Sequence, residues 1–283
     1  MNDRKPQDRS GYQPGTLEMV QSACLYVATV LGDYMKRDLT IVGGLVPALL
    51  IDQDQLPDGV EPHPGTLDLD IGFELAILEE GKYREIATRL REAGFELDVN
   101  ERGNKTRQRW SIEGQRGKAL VDFLIPPSTP DDEPGSLLNI ERDLAAIITP
   151  GLDLAFRDRL TVSLHGYTIM GEACERSIGV CGPGAYVVLK ALALDSRGLP
   201  KDAFDLYYVV RNYGSGVEDV AVRLRPLLDH PEAQRALDIL ERDFGAPDAV
   251  GPMRVARFVT TSEDVVIRED VVGFIRDLLQ LVR

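Results

Sequence analysis

Three aspartates carry the chemistry that this sequence offers. Thr66 to Leu75 reads TLDLDIGFEL and alternates polar and apolar residues at every position. On a strand, Thr66, Asp68, Asp70, Gly72 and Glu74 would face one side, and Leu67, Leu69, Ile71, Phe73 and Leu75 the other. The apolar side belongs to a core. Asp68 and Asp70, two residues apart, would place their carboxylates over one space, with Cβ atoms about 7 Å apart. Aspartate is depleted in strands, and like charges on one face repel unless a cation sits between them. A divalent metal would supply that charge; the plainer alternative is a solvent-washed outer strand. The third aspartate, Asp122, interrupts the otherwise apolar run ALVDFLI. A lone buried carboxylate costs several kcal/mol unless it is paired or binds a metal. Taken alone, Asp122 fits a partner such as Arg or backbone as well as it fits a metal. Beside Asp68 and Asp70, convergence of all three on a metal accounts for more.

Strands and turns must position these groups. Leu17–Met35 is helical in period, and Leu39–Val42 reads as a short buried strand ending at Gly43-Gly44. The apolar LVPALLI that follows starts a helix, with Pro47 where a first turn tolerates it. A strand, a glycine pair and a helix start leave backbone N–H groups facing the strand tips, an arrangement that suits a phosphate. The acidic, proline-bearing 52–64 segment reads as a surface loop. Lys82–Ala93 is an amphipathic helix, Phe95–Val99 a strand, and Thr106–Glu113 with Lys118–Ile125 a hairpin turning at Gly114-Gln115-Arg116-Gly117. A short helix is expected over Ser136–Ile148, and strand pieces at Leu160–Leu164 and Tyr167–Met170. From Pro183-Gly184 onward the sequence reads as helical, with helices at Ala185–Leu194, Pro200–Tyr213, Val217–Leu228, Pro231–Phe244 and Ser262–Val282. The first of these is apolar on all sides except at Lys190, which must either snorkel out or face something anionic. The fold class is therefore α/β (α+β): a mixed sheet flanked by helices over residues 1–182, then a helical domain over 183–283.

Composition bounds the partners. The chain has 283 residues and a formal net charge of −14, which argues against a surface built to coat nucleic acid. The N-terminal stretch is polar and no run of eighteen apolar residues occurs, so neither a signal peptide nor a membrane span is expected, and the cytoplasm is the expected location. Three cysteines without Cys-x-x-Cys spacing and three scattered histidines point to neither a disulfide framework nor a zinc site.

Gly43-Gly44 at a strand end, GTLDLDIGF, and Asp122 on a later strand together resemble the nucleotidyltransferase superfamily of the DNA polymerase β type. The later residues Lys190, Arg197 and Lys201-Asp202-Ala203-Phe204-Asp205-Leu206 are similar to the Lys…Arg…Lys-Asp-x-x-Asp-Leu pattern of its AbiEii branch, which includes abortive-infection proteins and type IV toxin–antitoxin toxins. The resemblance covers about Leu39 to Tyr213. It departs from the family pattern in the long gap between Gly44 and Asp68, and in His63-Pro64-Gly65-Thr66 standing where an Arg or Ser often precedes the acids. It implies transfer of a nucleoside monophosphate from a nucleoside triphosphate to an acceptor, tRNA or protein, with a cognate antitoxin as a partner. On that resemblance Asp68, Asp70 and Asp122 bind two Mg²⁺ ions, the hard cation that an all-oxygen ligand set prefers. Gly43, Gly44, Thr66, Lys190, Arg197, Lys201 and Asp205 are assigned to the nucleotide, and Lys190 also to catalysis. The alternatives are a small-molecule acceptor, as in antibiotic-modifying relatives of that superfamily, and a non-catalytic nucleotide-binding module.

Overall fold

Alternating strands and glycine punctuation build a mixed α/β architecture in two units. The computed structural model describes residues 5–13, 15–74, 80–100 and 102–283. One unit comprises residues 15–49 and Gly65–Cys181 and contains a nine-stranded mixed sheet. In chain order its elements are α1 (Thr16–Leu31), α2 (Asp33–Arg37), β1 (Leu39–Val42), a 3-10 turn at Gly43–Leu45 and α3 (Val46–Leu50). Then come β2 (Asp68–Phe73), α4 (Glu80–Glu92), β3 (Glu96–Val99), β4 (Lys105–Gly114), β5 (Gly117–Ile125), β6 (Leu137–Glu141), β7 (Leu144–Ile148), α5 (Leu154–Arg157), β8 (Arg159–Tyr167) and β9 (Ala173–Cys181). The spatial order is β3-β4-β5-β2-β1-β9-β8, with β7 also paired to β5 and β6 to β7.

The strand carrying the paired aspartates, β2, lies inside this sheet, parallel to β5 and antiparallel to β1. It is not a solvent-washed edge. Leu69, Ile71 and Phe73 have no exposure. Phe73 stacks on Phe123 of β5 at 5.1 Å and meets Tyr83 of α4 edge-on at 5.4 Å. Aromatic rings on one face and carboxylates on the other follow from the period of two. Leu75, the last residue of the alternating stretch, lies outside the described residues.

Some expectations need correction. Ser136–Ile148 is not a helix but the β6–β7 hairpin. Ile147 and Ile148 pair in parallel with Leu124 and Ile125, and Leu144, Ala145 and Ala146 are fully buried. Completing a sheet beside β5 thus outweighs local helical preference, and two β-branched residues favour the strand. The expected helix over Leu17–Met35 breaks at Gly32, whose φ of 55° begins a separate short helix. Residues 168–172 form the turn between β8 and β9 rather than a strand, and β9 itself was not anticipated.

The other unit comprises residues 5–13, Leu50–Pro64 and Gly182–Arg283. Its helices are α6 (Pro183–Arg197), α7 (Pro200–Asn212), α8 (Val217–Leu224), α9 (Pro231–Phe244), α10 (Val250–Thr260) and α11 (Val265–Val282). Of these α10 was not anticipated. Proline at the first position of α6 and Gly198 in the left-handed region after it set the bounds of that helix. The 52–64 segment is more than a surface connection. Gln53 Oε1 accepts from the Tyr208 hydroxyl at 3.0 Å and from the His63 backbone N–H at 2.8 Å, and the buried His63 ring stacks by Phe204 at 5.7 Å. Residues 5–13 and 50–64, which the 182/183 boundary assigns to the first domain, thereby belong with the helices. Among the described residues no helix is long and apolar enough to cross a membrane.

Candidate metal centre

The sheet brings Asp68, Asp70 and Asp122 together. Asp70 and Asp122 are direct register partners across the parallel β2–β5 pair, so their side chains leave the sheet on the same face. Asp68, two residues back on β2, joins them. One carboxylate oxygen from each lies within 4.8 Å of the other two. Asp68 and Asp122 are buried at 4% and 3% exposure, and Asp70 is partly open. Three hard oxygen donors converging at this spacing could hold a metal ion.

Neighbouring residues position the acids. Thr66 donates its hydroxyl proton to Asp68 Oδ1 at 3.2 Å. Gly43 opens the 3-10 turn with a φ of 70°, and a Cβ there would lie 1.9 Å from Asp70 Oδ2. Glycine is required twice over, by the left-handed backbone and by the carboxylate resting against it. The Gly43-Gly44 turn therefore lies beside the acids, since β1 and β2 pair Val42 with Asp70.

One cation already belongs to this group. Arg109 of β4 is the register partner of Asp122 in the β4–β5 hairpin. Its Nε donates to Asp122 Oδ1 at 2.7 Å, its Nη2 donates to Asp122 Oδ2, and the same Nη2 reaches Asp68 Oδ2 at 3.5 Å. This two-pronged grip matches guanidinium to carboxylate geometry. Hydrogen bonding to Asp122 holds the Arg109 pKa above its usual range, against the lowering effect of burial. Among the described residues, the three carboxylates and the Arg109 guanidinium thus meet at the sheet site.

The remaining predicted residues form a second cluster within the helical unit. Lys190 on α6 does not snorkel; it is buried and donates to Asp202 Oδ1 at 2.9 Å and Asp205 Oδ2 at 2.7 Å, both on α7. Lys201, one turn before Asp205, donates to both of its oxygens at 2.7 and 2.9 Å. Arg197 grips Asp202 through Nε and Nη2 at 2.7 and 2.8 Å. His63 places Nε2 at 2.8 Å from Asp205 Oδ1. Burial, reinforced by the positive charge of Lys201, lowers the His63 pKa to about 4, so the ring is neutral at pH 7 and its Nε2–H donates to Asp205. Burial alone would raise the pKa of Asp202, yet Lys190 and Arg197 outweigh it and bring it down to about 2. Burial likewise opposes ionisation of Lys190, but Asp205 and Asp202 more than reverse that and raise its pKa. Lys201 keeps a net lowering, with burial its largest cause. Asp202, in the first turn of α7, and Asp205, one turn on, are therefore members of a buried ion network.

Arg109 and His63 are the residues that sequence reasoning passed over as site members. For Arg109 a signal was present. Counting five residues back from Gly114 and five forward from Gly117 along the expected hairpin lands on Arg109 and Asp122. For His63 there was none, because its partner Asp205 lies 142 residues away. No family model matches the sequence, and no curated protein matches it either.

Proposed function

We propose that this chain is a divalent-metal-dependent nucleotidyltransferase that moves a nucleoside monophosphate from a nucleoside triphosphate to an acceptor. The observation that carries this reading is the side-by-side register of Asp70 and Asp122 on inner parallel strands, with Asp68 on the same face and the Gly43 turn against Asp70. A bound Mg²⁺ would supply neutralisation of the phosphates and alignment of attacking and leaving oxygens. The chain's own parts act around it. Asp68 and Asp70 would hold the ion, and Thr66 orients Asp68. Asp122 would accept the acceptor's proton, and Gly43-Gly44, with no side chain to intervene, would let phosphates approach the backbone closely.

The acceptor reading, tRNA or protein with a small antitoxin as partner, rests on the resemblance of the Lys190 to Leu206 stretch to the AbiEii branch. The net charge of −14 favours the second reading, a small-molecule acceptor, because an RNA-binding face requires clustered Lys and Arg. The test is incubation of the purified chain with each labelled triphosphate, Mg²⁺, and in turn total RNA, cellular protein and aminoglycoside-type alcohols. Label transferred to RNA or protein supports the first reading, and label on the small alcohols the second. Triphosphate binding without transfer to any acceptor would leave only a nucleotide-binding module.

A further inference from the structure

The sheet ends on one side in β8, and that edge is unlike its others. β3 is four residues long, carries Glu96 and Asp98, and shifts register against β4 between Leu97 and Val99. β6 is five residues long and shifts against β7 between Asn139 and Glu141. Short length, charge and broken register are ordinary devices that keep an edge strand from pairing with another chain. β8 has none of them. Its nine residues run in unbroken register with β9, from Arg159 opposite Cys181 to Tyr167 opposite Ala173, without a proline, an acid or a lysine. Among the described residues no strand pairs with its outer edge. We infer that this edge is a docking surface for a second copy of the chain, whose β8 pairs with it antiparallel about a two-fold axis at Ser163.

The strand is complementary to itself. Leu160, Val162, Leu164 and Gly166 share the face toward α1, where a Cβ on Gly166 would touch Leu25, and the three apolar side chains stay half-buried at the end of the sheet. A two-fold axis at Ser163 sets Val162 against Leu164 and Leu160 against Gly166, so each apolar side chain gains a neighbour and each glycine leaves room for a leucine. On the exposed face Thr161 meets His165, Ser163 meets Ser163, and Arg159 meets Tyr167. Charge favours the same edge. Two chains of net charge −14 repel each other, and this joint brings no acid and no pair of like charges face to face. Glu175 of β9 is set back by one strand and accepts from the Ser163 hydroxyl at 2.5 Å.

The test is sedimentation of the full chain over a dilution series, beside a far-UV spectrum and a thermal melt of each variant. The wild type should pass from monomer to dimer as concentration rises. Val162→Lys should dimerise about tenfold more weakly or worse, because its ammonium can snorkel past the open end of the sheet in the monomer but would be trapped against Leu164 in the dimer. Ser163→Cys brings two thiols together on the axis, since directly opposed antiparallel residues lie about 4.5–5.5 Å apart at Cα, within the span that a disulfide bridges. Under oxidised glutathione it should give a linked dimer that dithiothreitol returns to monomer, whereas Tyr167→Cys, at the far end of the strand, and the wild type should not. That variant carries the test should Val162→Lys fail to fold. A wild type that stays monomeric at every concentration would overturn the inference. So would a Ser163→Cys chain no more prone to cross-link than Tyr167→Cys, or a dimer that Val162→Lys leaves intact, which would belong to another face.

Discussion

Both units bury aspartates, but they do so with opposite balances of charge. In the sheet unit three carboxylates share one guanidinium; in the helical unit two carboxylates, Asp202 and Asp205, share Lys190, Lys201 and Arg197. The helical cluster is satisfied by its own chain, with every carboxylate oxygen of the pair in a charge-assisted hydrogen bond. In the sheet cluster the Arg109 guanidinium grips Asp122 with two hydrogen bonds and reaches Asp68 only at 3.5 Å. One carboxylate oxygen from each of the three lies within 4.8 Å of the other two, a spacing at which they could hold a metal ion. The difference separates acids that hold a structure together from acids that could hold a metal ion, although the two sets look alike in sequence.

The double change Asp68→Asn with Asp70→Asn presses hardest on that contrast. It removes the two carboxylates that Arg109 holds least and leaves the Arg109–Asp122 pair neutral. Transfer activity should fall by about a thousandfold or more, roughly 4 kcal/mol of barrier. The melting temperature should stay level or rise, because like charges no longer crowd one face. A double mutant that turns over at the parental rate would place the chemistry elsewhere.

Lys190→Met makes the mirror test in the helical unit. Removing one member of a buried ion network leaves Asp202 and Asp205 undercompensated, and the expected loss is about 3–5 kcal/mol in urea unfolding. Should Lys190→Met unfold at the wild-type denaturant midpoint, the helical cluster would not be the self-satisfied network described here, and Lys190 would be free for the anionic ligand that the AbiEii-like pattern implies.

Much of this was legible in local pattern. The alternation in TLDLDIGFEL, the lone charge in ALVDFLI and the glycine turn at Gly114–Gly117 each encode strand, face or register within a few residues, and together they bring Asp68, Asp70 and Asp122 to one place. What escaped depends on distant partners. Leu144–Ile148 is a strand because β5 offers it an edge, which no window of thirteen residues can show. His63 reads as an ordinary loop residue until α7 closes over it. Asp202 in the first turn of α7 fits a dipole role locally, and only the buried Lys190 from α6 reveals the ion network it shares with Asp205.

A smaller effect follows from the neutral His63. Its folded pKa of about 4 lies below the ordinary 6.5, so the unfolded chain binds a proton that the folded chain refuses between those values. Stability should therefore be fully present above about pH 6.5 and decline as the pH falls toward 4, by roughly 3 kcal/mol at most at 1.4 kcal/mol per pH unit. His63→Gln, which can still donate to Asp205, should flatten the profile over that window. A profile of unchanged slope in the mutant would show that His63 is not the group titrating. Asp205, Lys201 and Lys190 are the charged groups that act on the ring, Asp205 through its hydrogen bond and the two lysines through their positive charge.

Gly43→Ala gives the sharpest separation of the two clusters. A φ of 70° costs an alanine about 1–2 kcal/mol, which sets the expected loss in unfolding free energy. The steric part of the change falls on Asp70, whose Oδ2 occupies the space the new methyl group needs. Rotation of the carboxylate relieves the clash with its oxygen but not the 2.9 Å approach to Asp70 Cβ, so the displacement should appear in ligand binding as well as in stability. Mn²⁺ affinity should drop by about tenfold or more, an effect of at least 1.4 kcal/mol in binding. The pH profile of stability between 4 and 6.5 should keep its wild-type shape, because His63 and its partners belong to the other unit. An alanine variant that binds Mn²⁺ as the wild type does would mean that Asp70 is not a ligand, since a ligand pushed from its place by a methyl group cannot hold its ion unchanged.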